Sequence, residues 1–289
     1  MNDVLRSPVT ASTIATAYAK DGCFFPYDVI SETEAAELLA DLEAAEAEVA
    51  GDRARLSMLR SYPSQLLPSY AKLVRHPRLI DAISQIIGPD LLVWSCGFFI
   101  KEAGAKSYVS WHQDLNYWGL DGDQEVTAWY ALTPATVENG CMRFVPGSHE
   151  KKVVPHVDSF AQDNLLTRGQ EIAVDVDEAS AVNVVLRAGQ ASFHHGHMFH
   201  ASGPNGTDSR RIGAALRYIA PSMKQLSGEK LLVSHVSGKD QYGHFNVAPP
   251  PAGRLLEEDF ERIRRNMEVK RGILYKGVKP ELIKEASKA

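Results

Sequence analysis

Two histidines and an aspartate in this 289-residue chain have the residue types and spacing of a metal-binding triad. His112 and Asp114 are separated by one residue, and His200 follows 88 residues after His112. Two imidazoles and one carboxylate on one face of a metal leave its opposite face open, which is the ligand arrangement of non-haem Fe(II) oxygenases. A His-x-Asp pair alone often arises by chance, so the prediction of a metal site depends on all three residues.

An arginine after the third ligand has the chemistry to bind a dicarboxylate co-substrate. Arg211 follows His200 by 11 residues, and a guanidinium can grip a carboxylate with two hydrogen bonds. Ser202 would share a strand face with His200 and could bond the same carboxylate. Strand alternation predicts that two small residues lie on the face of Arg211 and leave room for a ligand, namely Gly213 and Ala215.

The choice of the distal histidine and of the arginine has competitors nearby. We prefer His200 to His197 because a turn of small residues and then Arg211 follow it. If 194–200 is extended, His200 shares a face with His194. We expect the three remaining histidines of the segment to pack or hydrogen-bond in the barrel wall: His194, His195 and His197. Two other arginines compete with Arg211 for the co-substrate: Arg210 and Arg217.

The composition is that of a soluble globular protein with a sizeable core. Hydrophobic residues make up 44% and charged residues 23%, and the formal net charge is -5. This charge argues against a nucleic-acid partner or an anionic membrane surface. The sequence shows no signal-peptide core and no apolar run long enough to span a bilayer. The cysteines are widely spaced and predict neither disulfides nor a zinc site, so we expect a cytoplasmic protein: Cys23, Cys96 and Cys141.

Hydrophobic periodicity predicts helices at both ends of the chain and strands in between. Ser31 and Glu34 form a capping box at the start of an amphipathic helix, and Gly88 and Pro89 end a second one. Helices are predicted at about 11–20, 32–50, 78–87 and 254–268. A short strand is predicted at 23–25, and others at 92–101, 107–112, 125–133, 141–146, 181–186, 190–195 and 211–219. The segments 51–70, 115–125, 155–180 and 222–250 are predicted to be lid and pocket loops.

Many short strands punctuated by Gly and Pro turns predict a mainly β fold with flanking helices. The preferred architecture is a jelly roll, that is, a double-stranded β-helix core of the cupin-like kind. We find no repeat and no linker, and therefore predict one domain over 1–289. It would comprise an N-terminal helical flank (1–90), the β-helix core (91–220) and a C-terminal loop and helix (221–289).

Three segments resemble the phytanoyl-CoA dioxygenase family: WHQDLNYW at 111–118, ENGCMRFVPGSH at 138–149 and HASGPN at 200–205. The resemblance implies a double-stranded β-helix and an oxygenase that uses Fe(II), 2-oxoglutarate and O2. It implies that three residues bind the iron: His112, Asp114 and His200. It further implies that four residues serve the co-substrate: Arg211, Ser202, Trp129 about fifteen residues beyond Asp114, and Gln113 between the first two ligands.

The expected function is hydroxylation or another oxidation of a C–H bond in a small-molecule substrate, with release of succinate and CO2. Asp114 disfavours halogenation, because related halogenases have a small residue at this position so that chloride can bind the iron. The alternatives are a non-oxidative, metal-dependent cupin-like enzyme, a halogenase-type relative acting on a natural-product intermediate, and a non-catalytic binding module. The sequence predicts neither the prime substrate nor the oligomeric state.

Overall fold

The largest element of this computed structural model, which describes residues 11–166 and 168–274, is a mainly antiparallel sheet of seven strands. The described strands are β1 (Cys23–Asp28), β2 (Leu91–Lys101), β3 (Val109–His112), β4 (Glu125–Ala131), β5 (Met142–Phe144), β6 (His156–Asp158), β7 (Gln170–Ile172), β8 (Val182–Val184), β9 (Gln190–His194), β10 (His200–Ser202), β11 (Arg211–Ile219), β12 (Leu232–Ser237) and β13 (Asn246–Ala248).

The described α-helices lie mostly outside the stretch of strands. They are α1 (Ala11–Asp21), α2 (Glu32–Glu48), α3 (Arg53–Ser61), α4 (Pro63–Leu66), α5 (Pro68–Leu73), α6 (Pro77–Ile87), α7 (Leu115–Trp118) and α8 (Glu257–Leu274). Among these helices, none combines the length and apolar composition needed to cross a bilayer.

Two facing sheets and a hairpin make up the β-structure. The major sheet has the strand order β1-β9-β4-β11-β2-β12-β13, and a minor sheet has the order β3-β10-β5-β8. Strands β6 and β7 form a separate two-stranded sheet. The predicted mainly β, jelly-roll fold with flanking helices is confirmed.

Strand β11 shows how the major sheet separates the helical core from the barrel interior. Its even-numbered residues from 212 to 218 pack into the large core that also contains α2, α3 and α6. Its odd-numbered residues face the opposite side, where Ala215 joins a smaller core with Trp129, Met142 and Phe144. The alternation predicted for this strand is confirmed, and it directs Arg211 and Arg217 into the barrel.

Most predicted elements agree with the structure to within a few residues, and the strand predicted at 211–219 has the same bounds. The predicted capping box is present: Oγ of Ser31 accepts a hydrogen bond from the backbone N–H of Glu34, whose carboxylate accepts one from the N–H of Ser31. The helix predicted at 254–268 begins at Glu257 and continues to Leu274.

The predicted loop 51–70 is wrong, because it consists largely of helices α3, α4 and α5. Asp52 caps α3 by accepting hydrogen bonds from the backbone N–H groups of Ala54 and Arg55. Pro63 and Pro68 occupy first-turn positions, where a missing N–H costs nothing. The predicted loops 155–180 and 222–250 also contain short strands: β6 and β7 in the first, β12 and β13 in the second.

Candidate metal and co-substrate site

The first two predicted metal ligands lie at the end of a strand rather than along it. His112 is the last residue of β3, and Asp114 has helical backbone angles (φ -67°, ψ -50°) at the start of α7. Strand β3 thus ends at His112, where the predicted strand 107–112 also ends, and Asp114 lies in the turn beyond it. The turn nevertheless places Nε2 of His112 3.5 Å from Oδ1 of Asp114.

The third predicted ligand comes from the strand next to β3. His200 is the first residue of β10 and pairs in register with His112, so that their ring centroids are 4.0 Å apart. One ligand atom from each of His112, Asp114 and His200 lies within 4.8 Å of the others, and all three residues are buried. The structure thus brings together the three residues that the sequence singled out.

Hydrogen bonds leave the two imidazoles ready to bind a metal. Nδ1 of His112 lies 2.9 Å from the carbonyl of Ser110 and 3.1 Å from that of His200. Nδ1 of His200 lies 3.0 Å from the carbonyl of Met198. Because a carbonyl only accepts, each Nδ1 carries the proton, and each Nε2 has a free lone pair for a metal.

The carboxylate of Asp114 is held in its charged form. Burial acts to raise its pKa, but the charge of Arg217, with Nε 3.6 Å from Oδ2, and the neighbouring His112 outweigh burial and hold the pKa well below its usual range. One carboxylate and two imidazoles are a donor set that suits Fe(II). The residues present therefore fit the metal that the sequence predicts.

His197, the competitor for the third ligand, belongs to a different group. It lies near His195 and Asp123, and these three residues form the other cluster of potential ligands in the described chain. His195 and His197 rings stack at 5.0 Å, and the backbone N–H of His197 donates to Nδ1 of His195. This placement favours His200 over His197, and it agrees with the expected wall positions of His195 and His197.

Arg211 lines the same cavity as the three possible metal ligands. Its side chain is almost fully buried, its guanidinium lies 5.2 Å over the ring of Trp129, and Nε has no hydrogen-bond partner. Burial lowers its pKa to about 10, so the group remains charged at neutral pH. Within the described part of the chain, no Asp or Glu forms an ion pair with this guanidinium, and a buried charge of this kind suits an incoming carboxylate.

The space beside Gly213 is not free, contrary to the expectation from strand alternation. A Cβ built at this position would lie 1.8 Å from the indole of Trp129. The indole therefore occupies the surface that the missing side chain leaves open. Gly213 serves the site indirectly, because it lets Trp129 lie flat beneath Arg211.

Lys101 is a buried cation beside the cavity that the sequence did not predict. It is fully buried at the end of β2, opposite Arg211 in the strand register. Its Nζ donates to Oγ of Ser202 over 2.7 Å and contacts the carbonyl of Gly203. Burial, and then the charge of Arg211, lowers its pKa to about 7. The sequence did contain a hint of this residue, because a lysine at the end of a largely apolar strand is unusual.

Gln113 does not line this cavity. Its Nε2 donates to the carbonyls of Lys152 and His197, and its Oε1 accepts from the backbone N–H of Val154. The side chain is fully buried and its amide is fully used. We therefore correct the expectation that Gln113 contacts the co-substrate: it joins the loop at 152–154 to the turn that precedes His200.

His194 lines the cavity, whereas we expected it to pack or hydrogen-bond in the barrel wall. It ends β9 in the major sheet, so 194–200 is not one extended segment but a turn between the two sheets. Its buried ring lies 4.8 Å from that of His200, and neither ring nitrogen has a hydrogen-bond partner. Burial lowers its pKa to about 4, so the ring is neutral. His194 thus forms part of the cavity lining next to the metal ligands.

Comparison with known proteins gives the same picture. The model of the phytanoyl-CoA dioxygenase (PhyH) family matches residues 18–213. This chain belongs to the phytanoyl-CoA dioxygenase family. Its relatives include a probable alpha-ketoglutarate-dependent hypophosphite dioxygenase of Stutzerimonas stutzeri, 26% identical over 64% of this chain and 67% of that protein. An ectoine dioxygenase of Streptomyces coelicolor is 29% identical over 47% of this chain and 50% of its own length.

Solved structures with the same fold match most of this chain. The non-heme monooxygenase ThoJ, in its apo form, has a TM-score of 0.81 and 34% identity, and the match covers 95% of this chain and 99% of ThoJ. CytC3 with Fe(II) and alpha-ketoglutarate shares the fold with a TM-score of 0.63 and 21% identity, over 84% of this chain and 93% of CytC3.

These comparisons confirm the predicted family and the predicted enzyme class. As a member of the phytanoyl-CoA dioxygenase family, the chain is a 2-oxoglutarate-dependent dioxygenase with Fe(II) as its metal. The curated relatives named here match this chain over only half to two thirds of their own lengths. Their substrates differ from one another, so family membership alone does not identify the substrate.

Proposed function

We propose that this member of the phytanoyl-CoA dioxygenase family hydroxylates, or otherwise oxidises, a C–H bond of a small molecule. The observation that carries the proposal is one buried cavity lined by the triad of His112, Asp114 and His200 and by Arg211. When bound there, Fe(II) with 2-oxoglutarate and O2 supplies the oxidising chemistry, with succinate and CO2 as co-products.

The two histidines would bind the metal through Nε2. Backbone carbonyls hold each Nδ1–H, so neither ring has to reorient or lose a proton from Nδ1 when the metal arrives. Asp114 would contribute the third ligand and one negative charge. Arg217, 3.6 Å from Oδ2 of this carboxylate, keeps it deprotonated and orients it.

A second group of residues would bind the far carboxylate of 2-oxoglutarate. Arg211 offers its unpartnered Nε, and Lys101 offers a second buried positive charge. Ser202, now accepting from Lys101, can turn its own hydroxyl proton to a carboxylate. Trp129 forms the floor beneath Arg211. Charge-assisted hydrogen bonds of this kind are stronger than neutral ones, which makes the pocket selective for a dicarboxylate.

The buried lining would also exclude water from the reacting position. Phe99, Met142 and Ala215 surround the ligands with apolar atoms, and such a setting protects reactive species from side reactions. We also propose a cytoplasmic location, which three buried, unpaired cysteines support.

The test is substrate-stimulated formation of succinate. Protein loaded with Fe(II) and 2-oxoglutarate is mixed with O2 and with panels of small molecules of different classes, and succinate and O2 uptake are measured together. The expected result is a class that raises both in equal amounts and gains an oxygen atom or loses two hydrogens by mass spectrometry. Product formation without O2 uptake would indicate a non-oxidative metal enzyme instead.

A further inference from the structure

A second cavity of about 410 Å³ lies next to the metal ligands and has the size of a small-molecule site. His112 and Asp114 line one end of it, and Phe99 and Arg217 belong to both this outer cavity and the inner one. A molecule in the outer cavity would therefore lie beside the metal position.

Two cations and two tryptophans form one wall of this outer cavity. The indoles of Trp94 and Trp118 stack with centroids 4.9 Å apart. Nζ of Lys270, from helix α8, lies 4.7 Å from the ring centroid of Trp94. The guanidinium of Arg217 lies 5.4 Å from that of Trp118. The two positive groups thus flank one aromatic pair, and both line the cavity.

The described acidic residues provide less negative charge around Lys270 and Arg217 than these two cations carry. Among the residues that the structure describes, no Asp or Glu forms an ion pair with Lys270, and the charge that acts on it most is the like charge of Arg217. Among the described residues, Arg217 forms an ion pair with Asp114, which is also a metal ligand in the proposed function, and its charge also acts on the buried Glu125. Another cation that lines the outer cavity, Arg60, differs from these two, because Glu46 pairs with it over 2.6 Å.

The ammonium group of Lys270 is mostly charged at neutral pH. Burial, and then Arg217, lowers its pKa to about 8, so most molecules carry the ammonium group at neutral pH. Cation–π contacts with Trp94 and Tyr62 stabilise such a group only partly. An oxyanion of the ligand would supply the missing counter-charge.

We propose that the prime substrate carries an anionic oxygen group, a carboxylate or a phosphate ester, which Lys270 and Arg217 bind against the Trp94–Trp118 pair. The opposite parts of the cavity include apolar residues such as Phe99, Ile100 and Leu165, which suit an apolar portion of the same molecule. This inference rests on the proposed function for the identity of the ligand as substrate, although the anion site itself can be tested without turnover.

The experiment compares three probes of similar shape: phenylacetate, phenyl phosphate and the neutral phenylacetamide. Each is titrated without O2 into protein saturated with Fe(II) and 2-oxoglutarate, so that the co-substrate pocket is filled, and binding is followed by calorimetry and tryptophan fluorescence. We expect at least one anion to bind roughly tenfold or more tightly than the amide. A preference for phenylacetate assigns the site to carboxylates, and one for phenyl phosphate assigns it to phosphate esters.

Variants at two adjacent positions of α8 test whether Lys270 causes the preference for anions. Lys270→Met should remove the preference for the anion and leave amide binding unchanged, whereas Lys270→Arg should retain most of it. Arg271→Met removes an exposed charge next in sequence and should have no effect. Thermal unfolding checks that each variant is folded. Equal binding of anion and amide by the unaltered protein, or equal losses in the Lys270→Met and Arg271→Met variants, would overturn the proposal.

The same titrations in metal-free protein separate this inference from the proposed function. If the protein prefers the anion in a way that depends on Lys270 but does not turn over 2-oxoglutarate with Fe(II), the anion site is supported and the proposed function is contradicted. Turnover of 2-oxoglutarate without any anion preference would remove only the anion site.

Discussion

Lys101 and Ser202 are joined by a hydrogen bond of 2.7 Å from Nζ to Oγ, which links the end of β2 in the major sheet to β10 in the minor sheet. Lys101 also lies opposite Arg211 in the register of β2 and β11. Arg211 and Ser202 line the cavity, and Lys101 is a second buried cation directly behind them. An incoming carboxylate would find both charges in place.

This arrangement predicts that 2-oxoglutarate binding weakens as the pH rises above about 7. Burial and the charge of Arg211 lower the pKa of Lys101 to about 7. Below that pH the lysine is already charged. Above it, the lysine must take up a proton when the carboxylate binds, so the affinity should fall by up to about tenfold per pH unit. Calorimetry on the Fe(II)-loaded protein from roughly pH 7 to pH 9 measures the slope. In Lys101→Met the slope should vanish, and an unchanged slope would show that another group titrates.

Removing the guanidinium of Arg211 should weaken co-substrate binding without loss of metal. Arg211→Met is expected to cost about 2–4 kcal/mol of 2-oxoglutarate binding, the range for truncating one partner of a buried charge pair. Calorimetry gives the affinity, and the metal content is measured after desalting. Arg210→Met is the matched control, because Arg210 pairs with Glu46 and Glu102 away from the cavity. Parallel losses of iron and 2-oxoglutarate would mean that Arg211 is structural.

The ligand assignment predicts different outcomes for two nearby histidines. His200→Ala should lower Fe(II) binding and abolish 2-oxoglutarate turnover, as should His112→Ala and Asp114→Ala, because each removes one of three converging donors. His197→Ala should keep both properties, since its ring lies in a separate cluster. The measurements are metal content, succinate release and circular dichroism. Retained activity in His200→Ala with loss in His197→Ala would refute the assignment.

Gly213→Ala should damage the site through Trp129. The added methyl group would lie 1.8 Å from the indole, so the ring must move from beneath Arg211. Overpacking of this kind costs about 1–3 kcal/mol of stability, and we expect weaker 2-oxoglutarate binding as well. Gly51→Ala, where an added methyl group meets nothing within 4 Å, is the control. Thermal unfolding and calorimetry report both effects, and normal behaviour of Gly213→Ala would exclude a packing role for this glycine.

Asp114 predicts oxidation rather than halogenation. In the proposed site the carboxylate would take the coordination position that a halide needs, so reactions in chloride or bromide buffer should yield no halogenated main product. Asp114→Gly should open that position but leave the protein mostly inactive, because halide binding also needs supporting residues around the metal. Mass spectrometry of the products decides. A chlorinated or brominated main product from the unaltered protein would remove Asp114 from the set of ligands.

The sequence alone was enough to select the candidate residues that residue type and spacing can indicate. His112, Asp114 and His200 stand in motifs that belong together, and Arg211 and Ser202 follow at offsets that one strand and one turn can satisfy. Strand β11 was predictable because alternation over nine residues is a long, regular signal. The segment 51–70, predicted as a loop, instead contains helices, two of which start at prolines.

The tertiary structure decided which distant residues share the site. Lys101 meets Arg211 only because β2 pairs with β11, and Lys270 reaches the outer cavity only because α8 returns to it. Gln113 stands between two metal ligands, yet its amide points to the backbone of another loop. Local sequence patterns record the periodicity of one element at a time. Strand pairing and helix docking depend instead on contacts between residues far apart in the chain, which no single stretch of sequence encodes.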